Sequence, residues 1–89
     1  MIVLIDKKFK KDLSEKRDVQ LNKKVAAAIR DVQVAGTLQE IQHLKKLKAT
    51  GEFYRIRIGD YRIGIEKTGS TTLLFVRFIH RKDIYRYFP

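Results

Sequence analysis

The stretch Phe53-Tyr54-Arg55-Ile56-Arg57-Ile58-Gly59-Asp60-Tyr61-Arg62-Ile63-Gly64-Ile65-Glu66 decides the fold. Two alternating runs flank Gly59-Asp60, a pair suited to a two-residue hairpin loop. With that loop, Ile58 stands opposite Tyr61, Arg57 opposite Arg62 and Ile56 opposite Ile63. Side chains alternate along a strand, so Tyr54, Ile56, Ile58, Tyr61, Ile63 and Ile65 share one face. Arg55, Arg57 and Arg62 share the other. Like charges directly opposite on a sheet destabilise it, by on the order of 0.2–1 kcal/mol. A fold tolerates that more readily where the face meets an anion, and phosphate matches guanidinium geometry. The plainer reading is a solvated outer face, with Asp60 and Glu66 as partial counter-charges.

Working outward, Ile2 to Ile5 reads as a short strand buried on both faces. A basic helix is expected over Lys7 to Lys16, with Phe9 and Leu13 as its apolar stripe. Asp18 suits the N-cap of a second helix. Val19, Leu21, Val25, Ala26, Ala28, Ile29, Val32 and Val34 supply its core face, and Gly36 stops it. Leu38, Ile41, Leu44 and Leu47 fit a helical turn or an extended connector equally. After the hairpin, Thr68-Gly69-Ser70 turns the chain into a strand over Thr71 to Ile79, rich in β-branched and aromatic residues. The expected fold is one α+β domain over residues 1–89: an N-terminal strand, a helical hairpin, then a three-stranded antiparallel sheet with helices on one face. The other face is left for solvent or a ligand.

The 89 residues carry 20 Lys and Arg against 10 Asp and Glu, a formal charge of +10. That bias predicts an acidic partner: nucleic acid, an acidic protein or an anionic membrane surface. Cysteine is absent, which excludes a disulfide framework and thiolate chemistry. Only His43 and His80 supply imidazoles, there is no cysteine-based zinc spacing, and no glycine-rich phosphate loop is present. No metal or other cofactor is expected. The N-terminal apolar run is too short for a signal peptide, and no run approaches the ~18 residues of a membrane span. The expected location is cytoplasmic, with no membrane partner.

His80, Arg81 and Tyr85 follow the last strand and are candidates to join the arginines. RNA cleavage by phosphodiester transfer needs a base for the 2′-hydroxyl, positive charge on the phosphorane and an acid for the leaving oxygen. Histidine can serve either proton step, and tyrosine can stack on a base. Spacing alone favours the plainer reading, in which His80 ends a strand and Tyr85 packs on the core. Lys45, Lys46 and Lys48 read either as a solvated face or as contacts to a nucleic-acid backbone. So do Lys7, Lys8, Lys10 and Lys11.

Tyr54-Arg55-Ile56-Arg57-Ile58-Gly59-Asp60-Tyr61-Arg62-Ile63, a turn, a hydrophobic strand and His80-Arg81-Lys82-Asp83-Ile84-Tyr85 together resemble the RelE branch of the RelE/ParE toxin superfamily. The resemblance covers nearly the whole chain. It implies the toxin of a type II toxin–antitoxin pair, neutralised by a cognate antitoxin. Such toxins enter the ribosomal A site and cut messenger RNA without metal, leaving a 2′,3′-cyclic phosphate and a 5′-hydroxyl. On this resemblance Arg55 and Arg57 occupy the positions of two family lysines, one proposed as general base. Arginine stays protonated and is a poor base, so both would stabilise charge and His80 becomes the candidate base or acid. Arg62 maps to a phosphate clamp, Arg81 to transition-state or leaving-group stabilisation, and Tyr85 to substrate stacking, at a shorter spacing from Arg81 than in the prototype. Other relatives on this fold inhibit DNA gyrase and usually lack the basic set. A gyrase-inhibiting toxin and a non-catalytic nucleic-acid-binding module are the alternatives.

Overall fold

A computed structural model describes residues 1–89. Strand β1 (Ile2–Ile5) leads into helix α1 (Lys7–Ser14) and helix α2 (Val19–Val34). A 3₁₀ turn at Leu38–Glu40 precedes strand β2 (Leu44–Lys46). Strands β3 (Phe53–Ile58), β4 (Tyr61–Lys67) and β5 (Thr72–His80) follow, and helix α3 (Ile84–Tyr87) ends the chain. The α+β order is as expected, but the sheet has five strands rather than three, in the order β1-β5-β4-β3-β2. Strand β1 joins β5 in parallel, and part of the ambiguous connector becomes the outer strand β2.

The hairpin register is the expected one: Ile58 with Tyr61, Arg57 with Arg62, Ile56 with Ile63. Gly59 turns at φ +57°, in the left-handed region where glycine has no Cβ to clash. The apolar face of this hairpin carries the core. Ile56, Ile63, Ile65, Phe75 and Phe78 are buried there under Phe9 of α1 and Val25 and Val32 of α2. Each such side chain contributes about 1.5–3 kcal/mol by leaving water. Both helix starts are capped as their sequences require: Asp6 accepts from the Lys8 amide and Asp18 from the Leu21 amide.

Three local expectations give way. Ile2 and Leu4 are about half exposed, because β1 is an edge strand with helices on one face only. Val19 and Val34 at the two ends of α2, and Ala26 within it, are exposed rather than in the core. Gly36 is not a left-handed stop; α2 ends at Val34 with Ala35 extended, and the Gly36 amide donates to Glu40 Oε2 at 2.6 Å.

Strand β5 contains a bulge. Phe75 pairs with Ile65 and Arg77 with Gly64, so Val76 is an extra residue. The bulge places both Phe75 and Phe78 in the core although they are three apart. It also frees Arg77 to reach α1. There Arg77 Nε donates to Asp12 Oδ2 at 2.7 Å and Nη2 to Oδ1 at 3.2 Å, while the Phe78 amide donates to Asp12 Oδ2 at 2.9 Å. Burial pushes the Asp12 carboxyl up, but Arg77, the Phe78 amide and the charge of Lys16 outweigh it and hold it below its ordinary value.

The opposite sheet face is not wholly open. Ile84 and Phe88 from the C-terminal segment pack with Leu47, Phe53, Val76 and Ile79 into a second small core. A Cβ at Gly64 would lie 2.7 Å from the Phe88 ring, so this glycine makes room for the tail. The tail thus covers the middle of the face and leaves its hairpin end free.

Candidate nucleic-acid interface

Arg57, Arg62 and Ile79 are register partners across β3, β4 and β5, so their side chains share the face opposite the two long helices. Arg55 lies two residues before Arg57 on that face, with Lys45 opposite it on β2. Arg81 is brought in by the backbone: its amide donates to the Asp60 carbonyl at 2.8 Å, tying the end of β5 to the hairpin loop. Tyr85 is exposed on α3 and close enough for its hydroxyl to bear on the charge of Arg62.

Internal contacts fix part of this cluster. Arg62 Nη1 donates to the Gly59 and Tyr61 carbonyls at 2.8 and 2.9 Å. Arg55 Nη1 donates to the His43 carbonyl at 2.9 Å, while its buried Nε has no partner. Burial, then the charges of Arg55, Arg57 and Arg81, push the Arg62 pKa below its ordinary value. The ion pairs of the chain are Lys46–Glu52 at 3.7 Å and Asp12–Arg77 at 2.7 Å. No carboxylate therefore lies within 4.0 Å of Arg55, Arg57, Arg62 or Arg81. Guanidiniums without a carboxylate counter-ion have the charge and the geometry that phosphate fits.

The structure separates His80 from this cluster. His80 pairs with Tyr61, whose ring packs on Phe78 in the core, so both belong to the helix-side face. The rings of His80 and Tyr61 meet edge to face at 5.5 Å, and His80 Nδ1 accepts from the Lys82 amide at 3.1 Å. An imidazole expected beside the arginines thus lies across the sheet from them, because strand alternation puts residues 79 and 80 on opposite faces.

The imidazole beside the arginines is His43, which sequence reasoning left inside an unassigned connector. Its Nδ1 is 3.3 Å from Arg57 Nη2. Its φ of +63° is uncommon for a residue with a side chain, and histidine is among the types enriched there. Pairing of Leu44 with Ile56 brings the connector beside β3, and no periodicity before β2 could announce that. Of the lysines, Lys45 extends the arginine row, Lys46 reaches Glu52 and Lys48 is exposed beyond β2.

A family model described as the ParE toxin of type II toxin–antitoxin system, parDE, matches residues 3–85. The chain belongs to the RelE/ParE toxin superfamily. Within the superfamily it is RelE-like: it is 42% identical over 90 residues to Toxin RelE3 of Methanocaldococcus jannaschii, with the whole of each chain covered. It also superposes on the RelB-RelE antitoxin-toxin complex from Methanococcus jannaschii. There the TM-score is 0.78 at 40% identity, covering 97% of this chain and 99% of that one. YafQ from E. coli shares the fold at 17% identity and a TM-score of 0.62, covering 93% and 96% of the two chains. The RelE/ParE fold accounts for the α1–α2 pair on one sheet face and the basic hairpin on the other. No helix is long and apolar enough to cross a membrane.

Proposed function

We propose that the chain is a type II toxin that cuts messenger RNA in the ribosomal A site, in the cytoplasm, and is held inactive by a cognate antitoxin. The observation that carries this reading is the set of four arginines with no carboxylate within 4.0 Å. An acidic antitoxin segment covering that face would neutralise it and block substrate together.

Cleavage begins when the 2′-oxygen attacks the adjacent phosphorus and the 2′-proton passes to solvent or to ribosomal RNA. The 5′-oxygen then leaves and takes up a proton, giving a 2′,3′-cyclic phosphate and a 5′-hydroxyl. Arg57, Arg62 and Arg81 carry the charge that builds on the phosphorane, and Arg55 holds the neighbouring backbone. Tyr85 stacks on a base and fixes the in-line geometry. His43 Nδ1 faces a permanent donor, Arg57 Nη2, so it accepts there and leaves Nε2–H free to donate a hydrogen bond toward the phosphorane, while the leaving oxygen takes its proton from solvent.

The test is single-turnover cleavage on programmed ribosomes. His43→Gln should slow it by about 100-fold, within the range for losing one preorganised donor. His80→Gln should stay within about threefold of the parent, since its ring is across the sheet. The reverse order would place His80, not His43, at the reacting phosphate. The ParE family model supports a second reading, inhibition of DNA gyrase. Uncut messenger with arrested gyrase would favour that reading.

A further inference from the structure

The two edges of the sheet differ. The β2 edge carries Lys45 and Lys46, the kind of charge that keeps an edge from pairing with another chain. The β1 edge has no such guard. Ile2–Ile5 contains no charge, no proline and no bulge, and Ile2 and Leu4 are 56% and 49% exposed. The even-numbered residues turn their backbone groups inward to β5: the Ile2 amide donates to the Thr71 carbonyl at 2.7 Å and the Asp6 amide to the Phe75 carbonyl at 2.9 Å. The amides and carbonyls of Val3 and Ile5 therefore point outward, where no strand follows. The corner around them is poor in charge. The chain holds 20 basic side chains, yet residues 1–6 contain none and residues 68–76 contain no charge of either sign. By register, the open-face neighbours of Ile2 and Leu4 are Thr72 and Leu74, with Glu66 beyond them on β4. RNA or an acidic protein segment finds no countercharge here. In a chain of charge +10, this corner is where a second copy meets the least repulsion.

We propose that β1 is a homodimer edge, two copies pairing their β1 strands antiparallel about a two-fold axis at Leu4. Only a register that sets odd residues against odd residues uses the outward groups. Centred on Leu4, it puts Val3 against Ile5 of the second copy, where the two exchange both backbone bonds, and the reciprocal pair does the same. Leu4 then faces its own counterpart as a non-hydrogen-bonded pair, in which side chains come closest. The Ile2, Leu4 and Leu74 side chains of both copies form one apolar strip along the joined sheets. Both arginine rows stay uncovered, since β4 and β3 lie two and three strands in from the edge. The inference therefore does not depend on the ribonuclease reading. A ladder this short makes a small interface, so the dimer should be half formed on the order of 10–100 µM.

Sedimentation velocity of the full chain from about 1 to 500 µM reads the dimer directly, and the parent should pass from monomer to dimer across that range. Leu4→Lys should stay monomeric throughout, with an unchanged circular dichroism spectrum. Val19→Lys, the same charge added at an exposed apolar site at the start of α2, should dimerise within about twofold of the parent. Cysteine is absent from the chain, so single cysteines read the register. Leu4→Cys should crosslink to a dimer on mild oxidation, because Cα atoms in a non-hydrogen-bonded pair lie about 4.5 Å apart, within disulfide reach. Ile2→Cys, which stands opposite Asp6 rather than itself, should not. A parent that stays monomeric at about 500 µM would overturn the proposal. So would parent-like dimerisation of Leu4→Lys, or crosslinking of Ile2→Cys in preference to Leu4→Cys. If hydrogen exchange shows the Val3 and Ile5 amides protected only in the complex with the antitoxin, an antitoxin strand occupies the edge and the homodimer falls.

Discussion

Arg62→Ala will lower messenger cleavage on the ribosome at least about 100-fold while leaving the domain folded. The size of the loss follows from removing one preorganised donor from a site where negative charge develops, worth about 10²–10³ in rate. Arg62 sits at the centre of the row, paired with Arg57 across the hairpin, and it feels the charges of Arg55, Arg57 and Arg81. Its lowered pKa means that the folded state disfavours its charge relative to the unfolded chain. Removing it relieves that repulsion but forfeits the bonds to the Gly59 and Tyr61 carbonyls. Those bonds are worth about 0.5–1.5 kcal/mol each, so the two effects largely offset. The melting temperature should move by only a few degrees, read by circular dichroism beside the cleavage rate. Arg62→Lys should fall between the two, because it keeps the charge and loses the two-pronged geometry. Parent-like cleavage by a folded Arg62→Ala variant would remove the phosphate clamp from the mechanism.

Asp12→Ala will destabilise the fold by about 3–5 kcal/mol, the cost of breaking a buried ion pair by removing one partner. Asp12 is 8% exposed and satisfies both Arg77 and the Phe78 amide. Its loss strands a guanidinium and a backbone donor between α1 and β5. For a domain of this size the melting temperature should drop by at least about 12 °C. Replacing both partners, Asp12→Leu with Arg77→Met, should recover part of this, since a matched apolar pair has no charge to strand. The Phe78 amide would still lack an acceptor, at about 1–3 kcal/mol. The pH dependence has a definite sign. Asp12 has a depressed pKa, so its stabilisation is complete above the unfolded value of about 3.9 and is lost as pH falls through the folded value. Acid unfolding below about pH 4 should therefore be steeper in the parent than in the double variant, as followed by circular dichroism. Equal acid profiles would show that Asp12 is not the responsible carboxylate.

The hairpin was legible because three signals agreed on one register: the Gly59-Asp60 loop, the alternation on both sides and the apolar match of Ile56 with Ile63. Long-range pairing was less so. Nothing local in Ile2 to Ile5 says that the strand lies parallel to β5 at the sheet edge, and a continuous apolar run looks the same buried on one face or two. The bulge left a faint trace, since Phe75 and Phe78 are spaced three apart in a strand that alternates elsewhere. Asp12 left another: it lies between Phe9 and Leu13 on the apolar stripe of α1, where a lone carboxylate needs a partner. In the site, Arg57 and Arg62 followed from strand alternation alone, and Arg81 came close because the chain turns back at the hairpin loop. His80 was misplaced by one residue's worth of alternation, although the same rule that grouped the arginines assigns it to the other face. His43 was hidden because its position depends on β2, a three-residue strand whose partners lie 8 to 12 residues further on.

The most direct measurement maps the ends of a defined messenger after incubation with the purified chain, with and without ribosomes. If the arginine-lined face is the cutting surface, cuts fall within the A-site codon only when ribosomes are present, with 2′,3′-cyclic phosphate on one fragment and 5′-hydroxyl on the other. Intact messenger on ribosomes, or fragments ending in 5′-phosphate, would contradict it.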